Sequence, residues 1–227
     1  MKMNCYTHFS RPIIVVFIGN VGTGKTTHIY ALSKVLNKHR NIVYTTTLKT
    51  VFPFTKLAIF LTRHNIPLLR IAVSLDLLFN NIRLPILACF KTVVLPLLKR
   101  RKIVLIDEYL PGSLVDYICN GAVYNIMPIS IVATKILFRL FVLLDLTRFN
   151  LVYLYCNKNT LPERWVRRGT FPEKKLYIAV QDLVFIKFIK KYDNVLKINT
   201  SKKFALNHQV IKNYIMSLLN TRCNTRA

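Results

Sequence analysis

The sequence predicts an α/β protein, with a central parallel sheet of about five strands and helices on both faces. Three observations lead there. Short apolar runs recur at residues 13–18, 42–46, 103–106, 151–155 and 195–198, and such runs read as buried parallel strands. Longer stretches with helical apolar spacing separate them, and strands alternating with helices imply a parallel sheet covered on both sides. The turn Gly19-Asn20-Val21-Gly22-Thr23-Gly24-Lys25-Thr26 follows the first run and fills every fixed position of the phosphate-loop pattern G-x-x-x-x-G-K-[ST].

Each element has its own justification. Residues 13–18 are unbroken in apolar character and form the first strand. Residues 27–38 place Ile29, Leu32, Val35 and Leu36 on one face of a helix. A second strand follows at 42–46. The mid-chain region 55–98 is strongly apolar with periodic basic breaks, which suits two or three helices, with Pro67 and Pro85 as starts or kinks. The third strand, 103–106, closes on Asp107-Glu108-Tyr109. Helix is expected over 113–146, broken near Gly121 and Pro128, before a fourth strand at 151–155. Helices at 161–168 and 173–192, a fifth strand at 195–198 and a last helix at 204–219 complete the chain. With no repeat and no low-complexity linker, residues 1–227 read as a single domain.

Composition bounds the partners. Lys and Arg number 34 against 9 Asp and Glu, a formal charge of +25 over 227 residues. Such a field attracts nucleotides, nucleic acid or anionic membrane surfaces, and the scattered basic residues do not choose among them. No groove-reading motif accompanies the charge, so a solubilising surface is the simpler account. Five widely spaced cysteines form no C-x-x-C pair or Cys/His cluster, and their odd number argues against a disulfide framework. They read as free thiols of a reducing cytosol. Between residues 51 and 98 the apolar segments are interrupted by Lys56, Arg63, Arg70, Asp76, Arg83 and Lys91. Residues 117–134, free of charge, contain Asn120, Gly121, Asn125 and Pro128, so no transmembrane helix is expected. The N-terminal apolar run is too short for a secretory core. A cytoplasmic protein is expected, with peripheral membrane contact left open.

The chemistry centres on the loop. Its glycines let the backbone fold around a phosphate with N–H groups inward, and the following helix adds its positive dipole end. Gly19, Asn20, Val21, Gly22, Thr23, Gly24, Lys25, Thr26 and Thr27 are the expected triphosphate contacts. Lys25 would reach the β and γ phosphates, and the Thr26 hydroxyl would ligate Mg²⁺. A plain glycine turn would need neither side chain. Four apolar residues ending in Asp107-Glu108 form a Walker B pattern, in which Asp107 holds Mg²⁺ directly or through water. Glu108 could activate water, assist the metal or be a solvated loop residue. Between Glu163 and Gly169, arginines three and four apart share a helical face and suit bidentate phosphate contact, although a basic surface helix with Trp165 packed inward explains them as well.

These blocks together resemble thymidylate kinases and the wider nucleoside monophosphate kinases, particularly a divergent archaeal group. The resemblance extends from Ile13 to Leu219. It rests on Gly24-Lys25-Thr26-Thr27, on residues 94–98 followed by 103–109 with Ser113 and Tyr117, and on the segment 163–169, which is similar to the family's E-R-x-x-x-R-G lid. It implies a P-loop NTPase three-layer fold, ATP and Mg²⁺ as cofactors, a lid over about 161–172 carrying Arg164 and Arg168 as catalytic groups beside Lys25 and Asp107, and Thr200 next to the adenine. It is also compatible with a homodimer.

The departures all concern the acceptor. The family's Asp-Arg pair is here Asp107-Glu108. Its Arg-Glu-Pro-Gly stretch is replaced by residues 45–49, leaving Lys49 as the nearest cation, and Arg83 lies one turn from the position of its mid-helix arginine. Lys49, Arg83, Glu108 and Tyr109 are therefore the candidate acceptor contacts. Three functions remain: transfer of the ATP γ-phosphate to a nucleoside monophosphate such as dTMP or to a nucleoside, ATP hydrolysis using Asp107-Glu108, or a non-catalytic nucleotide-dependent module on nucleic acid or membrane.

Overall fold

The computed structural model describes residues 11–40, 42–62, 65–157, 160–167, 169, 174–192 and 194–224. Five strands, β1 (Ile13–Ile18), β2 (Val43–Thr47), β3 (Ile103–Asp107), β4 (Asn150–Tyr155) and β5 (Val195–Asn199), form one parallel sheet in the order β2-β3-β1-β4-β5. The order reverses beside β1, so the carboxyl ends of β1 and β3 flank the crevice where ligands of such sheets bind. Phe17 and Thr47 both stand in register with Asp107.

Strand alternation builds the two flanking layers. Ile14, Val16 and Ile18 of β1 pack with Val104 and Ile106 of β3 on one face, while Ile13, Val15 and Phe17 pack with Ile103 and Leu105 on the other. The second face is covered by α1 (Lys25–Arg40), through Ile29, Leu32 and Leu36, and by α9 (Phe204–Asn224), through Ile211 and Ile215. On the first face lie α3 (Ile66–Cys89), α5 (Leu110–Val123), α6 (Met127–Leu143) and α8 (Lys175–Lys191). Two further helices, α2 (Pro53–Thr62) and α7 (Thr160–Arg167), sit outside this sandwich, and α4 (Leu95–Leu98) extends α3 through a π-helical turn at Phe90–Val94.

Expected bounds shift by a few residues, and two points need correction. Pro67 does start a helix, but Pro85 starts none and lies inside α3. The expected break near Gly121 and Pro128 falls at residues 124–126; Gly121 itself lies inside α5, where a Cβ would stand 2.5 Å from Ser130 Cβ, so it permits close packing of α6. Finally, one helical stretch, Ile66–Leu98, is long and apolar enough to cross a membrane, with an 18-residue window of mean hydropathy 1.5, of which 33% is buried. A charge interrupts an apolar segment only where it faces water, and one of the charges here does not. Asp76 within this stretch is fully buried and accepts hydrogen bonds from Phe54 N, Thr55 N and Thr55 Oγ1, which caps the start of α2. Ile71, Leu75, Leu78, Ile82 and Ile86 line the exposed side of α3.

Candidate active site

The phosphate loop joins β1 to α1, and its shape follows from contacts on both sides. Gly19 has φ 148°, and a Cβ there would meet the Leu154 carbonyl oxygen of β4 at 2.1 Å. Gly22 has φ 96° and lies against the Trp165 ring of α7. Both conformations favour glycine. Within the loop, Thr23 Oγ1 donates to Asn20 O, and Lys25 Nζ donates to Gly19 O at 2.7 Å and to Asn20 O at 3.2 Å. The ammonium thus crosses the loop, beside the backbone that would cradle phosphates. Thr26 and Thr27 are exposed on the first turn of α1.

Across the crevice, Thr26 Oγ1 donates to Asp107 Oδ2 at 2.5 Å. The other oxygen, Asp107 Oδ1, is buried with no partner among the described residues. A hydroxyl touching a carboxylate that keeps one oxygen unsatisfied is a donor set suited to Mg²⁺, which takes few protein ligands and completes its shell with phosphates and water. Among the described residues no group of three or more His, Cys, Asp or Glu side chains is placed to hold a metal ion.

The α7 helix clamps the loop from outside. Arg164 Nη1 donates to Gly22 O at 3.2 Å and Thr200 Oγ1 at 3.1 Å, and its Nη2 donates to Thr200 O at 2.5 Å. Trp165 Nε1 donates to Val21 O at 3.0 Å. Thr200 is buried after β5 and donates through Oγ1 to Tyr155 O. Arg164 therefore ties the phosphate loop to the loop after β5. Arg168 lies outside the described residues.

Beyond the loop, a narrow cleft of about 30 Å³ is lined by Lys25, Lys49, Glu108, Asp116, Tyr177 and Gln181, with Phe17, Leu48 and Phe185 as apolar wall. Glu108 adopts φ 58°, a left-handed conformation uncommon outside glycine. Its carbonyl accepts from Leu48 N at 2.9 Å, and its carboxylate meets Lys49 Nζ at 3.3 Å. Arg83 Nη1 donates to Lys49 O. Burial raises the Asp116 pKa, while hydrogen bonds donated by Thr50 and Tyr177, the latter at 3.0 Å, pull it back.

No protein-family model and no curated protein matches the chain in sequence. Solved structures do match in shape. The deoxyadenosine kinase of M. mycoides, in its structure with bound dCTP, superposes with a TM-score of 0.56 at 17% identity, over 90% of this chain and 100% of that one. The same enzyme with bound dATP gives 0.55 at 16% identity, over 89% and 99%. The thymidylate kinase of Ehrlichia chaffeensis gives 0.50 at 16% identity, over 92% and 100%.

The chain has an α/β P-loop NTPase fold, shared in shape with these structures. Within that fold the expected donor residues Gly19 to Thr27, Asp107, Arg164 and Thr200 converge on one crevice, and the acceptor candidates Lys49, Arg83 and Glu108 converge beside it. Tyr109 does not. It is fully buried, packs edge-on to Phe141 and Phe149, and donates to Leu146 O, so it is a core residue. Backbone reversal at Glu108 turns the next side chain away from the cleft. Sequence reasoning missed Thr50, Asp116, Tyr177 and Gln181, which come from separate elements and carry no shared spacing. Asn20 Nδ2 bonding Asp182 Oδ1 at 2.9 Å, which ties the phosphate loop to α8, was equally invisible.

Proposed function

We propose that this protein transfers the γ-phosphate of ATP to a nucleoside monophosphate or a nucleoside. The observation that supports it is the pairing of a phosphate loop, with Lys25 and the Thr26–Asp107 couple, with a second polar cleft sharing the Lys25 wall. A hydrolase needs only the first of these; a transferase needs both. In this reading the loop backbone and Lys25 hold the β and γ phosphates, and Thr26 with Asp107 would hold Mg²⁺. The bound metal would neutralise charge on the transferred group. The acceptor oxygen forms a bond to the γ-phosphorus as the bond to the β,γ-bridging oxygen breaks, and ADP leaves. A hydroxyl acceptor gives its proton to water. Positioning and electrostatic stabilisation supply the rate, so rigid anchoring of the loop by α7 and Asp182 is part of the catalyst.

The test is a transfer assay with γ-labelled ATP and Mg²⁺, with nucleosides and nucleoside monophosphates offered together. Label on an acceptor supports transfer, whereas label appearing solely as free phosphate supports hydrolysis through Asp107-Glu108. Lys25→Ala should lower turnover by about 100-fold or more while far-UV dichroism stays unchanged. Unaltered turnover would remove Lys25 from the chemistry.

A further inference from the structure

Both long faces of α3 are apolar. Val73, Leu77, Leu84 and Ala88 point inward and pack in the core on the first face of the sheet. Ile71, Leu75, Leu78, Ile82 and Ile86 repeat at helical spacing on the other side, each between 47% and 63% exposed. This outward stripe is about 22 Å long at the rise of an α-helix. It continues onto both neighbouring helices. Phe54 of α2 meets Phe79 of α3 edge-on at 6.2 Å, with both rings partly in water, and Phe60 of α2 is 83% exposed. On the opposite flank, Ile71, Leu75 and Leu78 line an open groove of about 590 Å³ with Pro128 and Ile129 at the start of α6. Contiguous apolar surface of this extent marks contact with a partner or a membrane.

The charges around the patch decide between those occupants. Over residues 53–98 and 127–143, the described charged side chains that reach the surface are Lys56, Arg70, Arg83, Lys91, Lys135 and Arg139, all cationic. Arg70 lines the groove itself. The one acid on these helices among the described residues, Asp76, is buried. Two copies of the chain meeting through this patch would set cations against cations with no carboxylate to answer them, and such juxtaposition rejects a partner. An anionic lipid surface answers every one. Its headgroups attract each Lys or Arg near them, while the apolar side chains enter the boundary with the acyl chains. The stretch Ile66–Leu98 is apolar and long enough to cross a bilayer, but crossing would strip Val73, Leu77 and Leu84 from the core. It would also pull the Asp76 carboxylate from the α2 amides that it caps. The helix can lie on a membrane and keep its fold; it cannot span one and do so.

We propose that α3, with the adjoining parts of α2 and α6, docks this protein on the surface of an anionic bilayer. The apolar stripe sits at the boundary between headgroups and acyl chains, the surrounding Lys and Arg side chains meet the headgroups, and the groove beside Arg70 takes the end of an acyl chain. The docked helix is also fastened to the candidate acceptor cleft, since Arg83 Nη1 donates to Lys49 O at 3.0 Å and Lys91 Nζ donates to Thr47 O at 2.9 Å. Docking therefore holds the cleft at a fixed place relative to the membrane, whichever acceptor it takes.

Vesicle flotation with the full chain tests this. Vesicles of phosphatidylcholine alone are compared with vesicles containing about a third phosphatidylserine, at about 150 mM salt. The anionic vesicles should bind the protein about 10-fold or more tightly than the neutral ones. Combining Leu75→Ser, Leu78→Ser and Ile82→Ser changes no charge and should weaken binding to anionic vesicles by about 10-fold or more, and the milder Ile82→Ser alone by about 3-fold. Both variants should keep the far-UV dichroism and ATP affinity of the parent. Sedimentation velocity without lipid should give the parent and the triple variant the same mass. Equal binding to the two vesicle types, or binding to neither, overturns the inference. Anionic binding that both variants leave unchanged assigns it to scattered surface charge and overturns it as well. A dimer that the triple variant dissociates puts a second copy on the patch, with the same result.

Discussion

At Gly19 the backbone turns with φ 148° directly under the Leu154 carbonyl of the neighbouring strand. A Cβ at 2.1 Å from that oxygen has nowhere to go, because both atoms belong to backbone held in the sheet. Gly19→Ala is therefore expected to destabilise the protein by roughly 2–4 kcal/mol, the scale of backbone strain combined with overpacking. Urea unfolding checks it, and a midpoint within error of the parent would show that the loop can shift at little cost. The motif made this glycine legible from the sequence, since its spacing is local and contiguous. Its clash partner was not, because Leu154 lies on β4, far along the chain. Tyr109 teaches the converse: adjacency to Asp107-Glu108 suggested the site, and the left-handed turn at Glu108 sent it to the core.

Helices α1 and α9 meet through a small aromatic stack. His28 lies 4.4 Å from the Phe204 ring and 6.0 Å from His208, and it is almost wholly buried. Burial, and then the neighbouring His208, lowers its pKa from 6.5 to about 4; His208 is lowered too, by burial and then Lys212. The folded pKa lies below the unfolded one, so between about pH 6.5 and 4 the unfolded chain binds more protons. Stability contributed by neutral His28 is full above that window and declines as pH falls through it. Allowing for solvent screening, we expect a loss of about 1–2 kcal/mol. Urea midpoints at neutral pH and near the foot of the window measure it, and His28→Phe should lose less over the same interval. An equal loss in that variant would exclude His28 as the source. At this scale the elements themselves were readable, because a strand buried on both faces has to be apolar and a helix covering it has to repeat its apolar residues every turn. The capping of α2 by Asp76, and the passage of Pro85 and a π turn within one long helix, depend on packing partners that local pattern does not carry.

For the whole molecule, +25 of formal charge is the dominant fact. Four of the 9 acidic residues, Asp107, Glu108, Asp116 and Asp182, surround the phosphate loop and the adjoining cleft, so the rest of the surface is more basic still. Such a surface should bind polyanions without regard to sequence. Fluorescence anisotropy with a mixed-sequence oligonucleotide should show affinity falling about 10-fold or more between roughly 50 and 200 mM salt. Binding that ignores salt would point to a specific interface. The same scarcity of acids explains why Asp107 could be singled out from sequence: in so basic a chain, a carboxylate at the end of a buried strand stands apart.

By itself the sequence determined the parallel α/β sheet, the phosphate-loop motif and the candidate pair Thr26 and Asp107, which the fold brings into contact. Each of these is written in consecutive residues or in a short period, and the physics that demands it acts locally. Only the tertiary structure decided which residues line the cleft beside the phosphate loop. Lys49 follows β2, Glu108 follows β3, Asp116 lies on α5 and Gln181 on α8, and they share a cleft because the sheet order brings β2 and β3 beside β1 while α5 and α8 close over them. A cleft assembled from distant segments has no period and no motif. Its charge and shape exist only once the strands have paired.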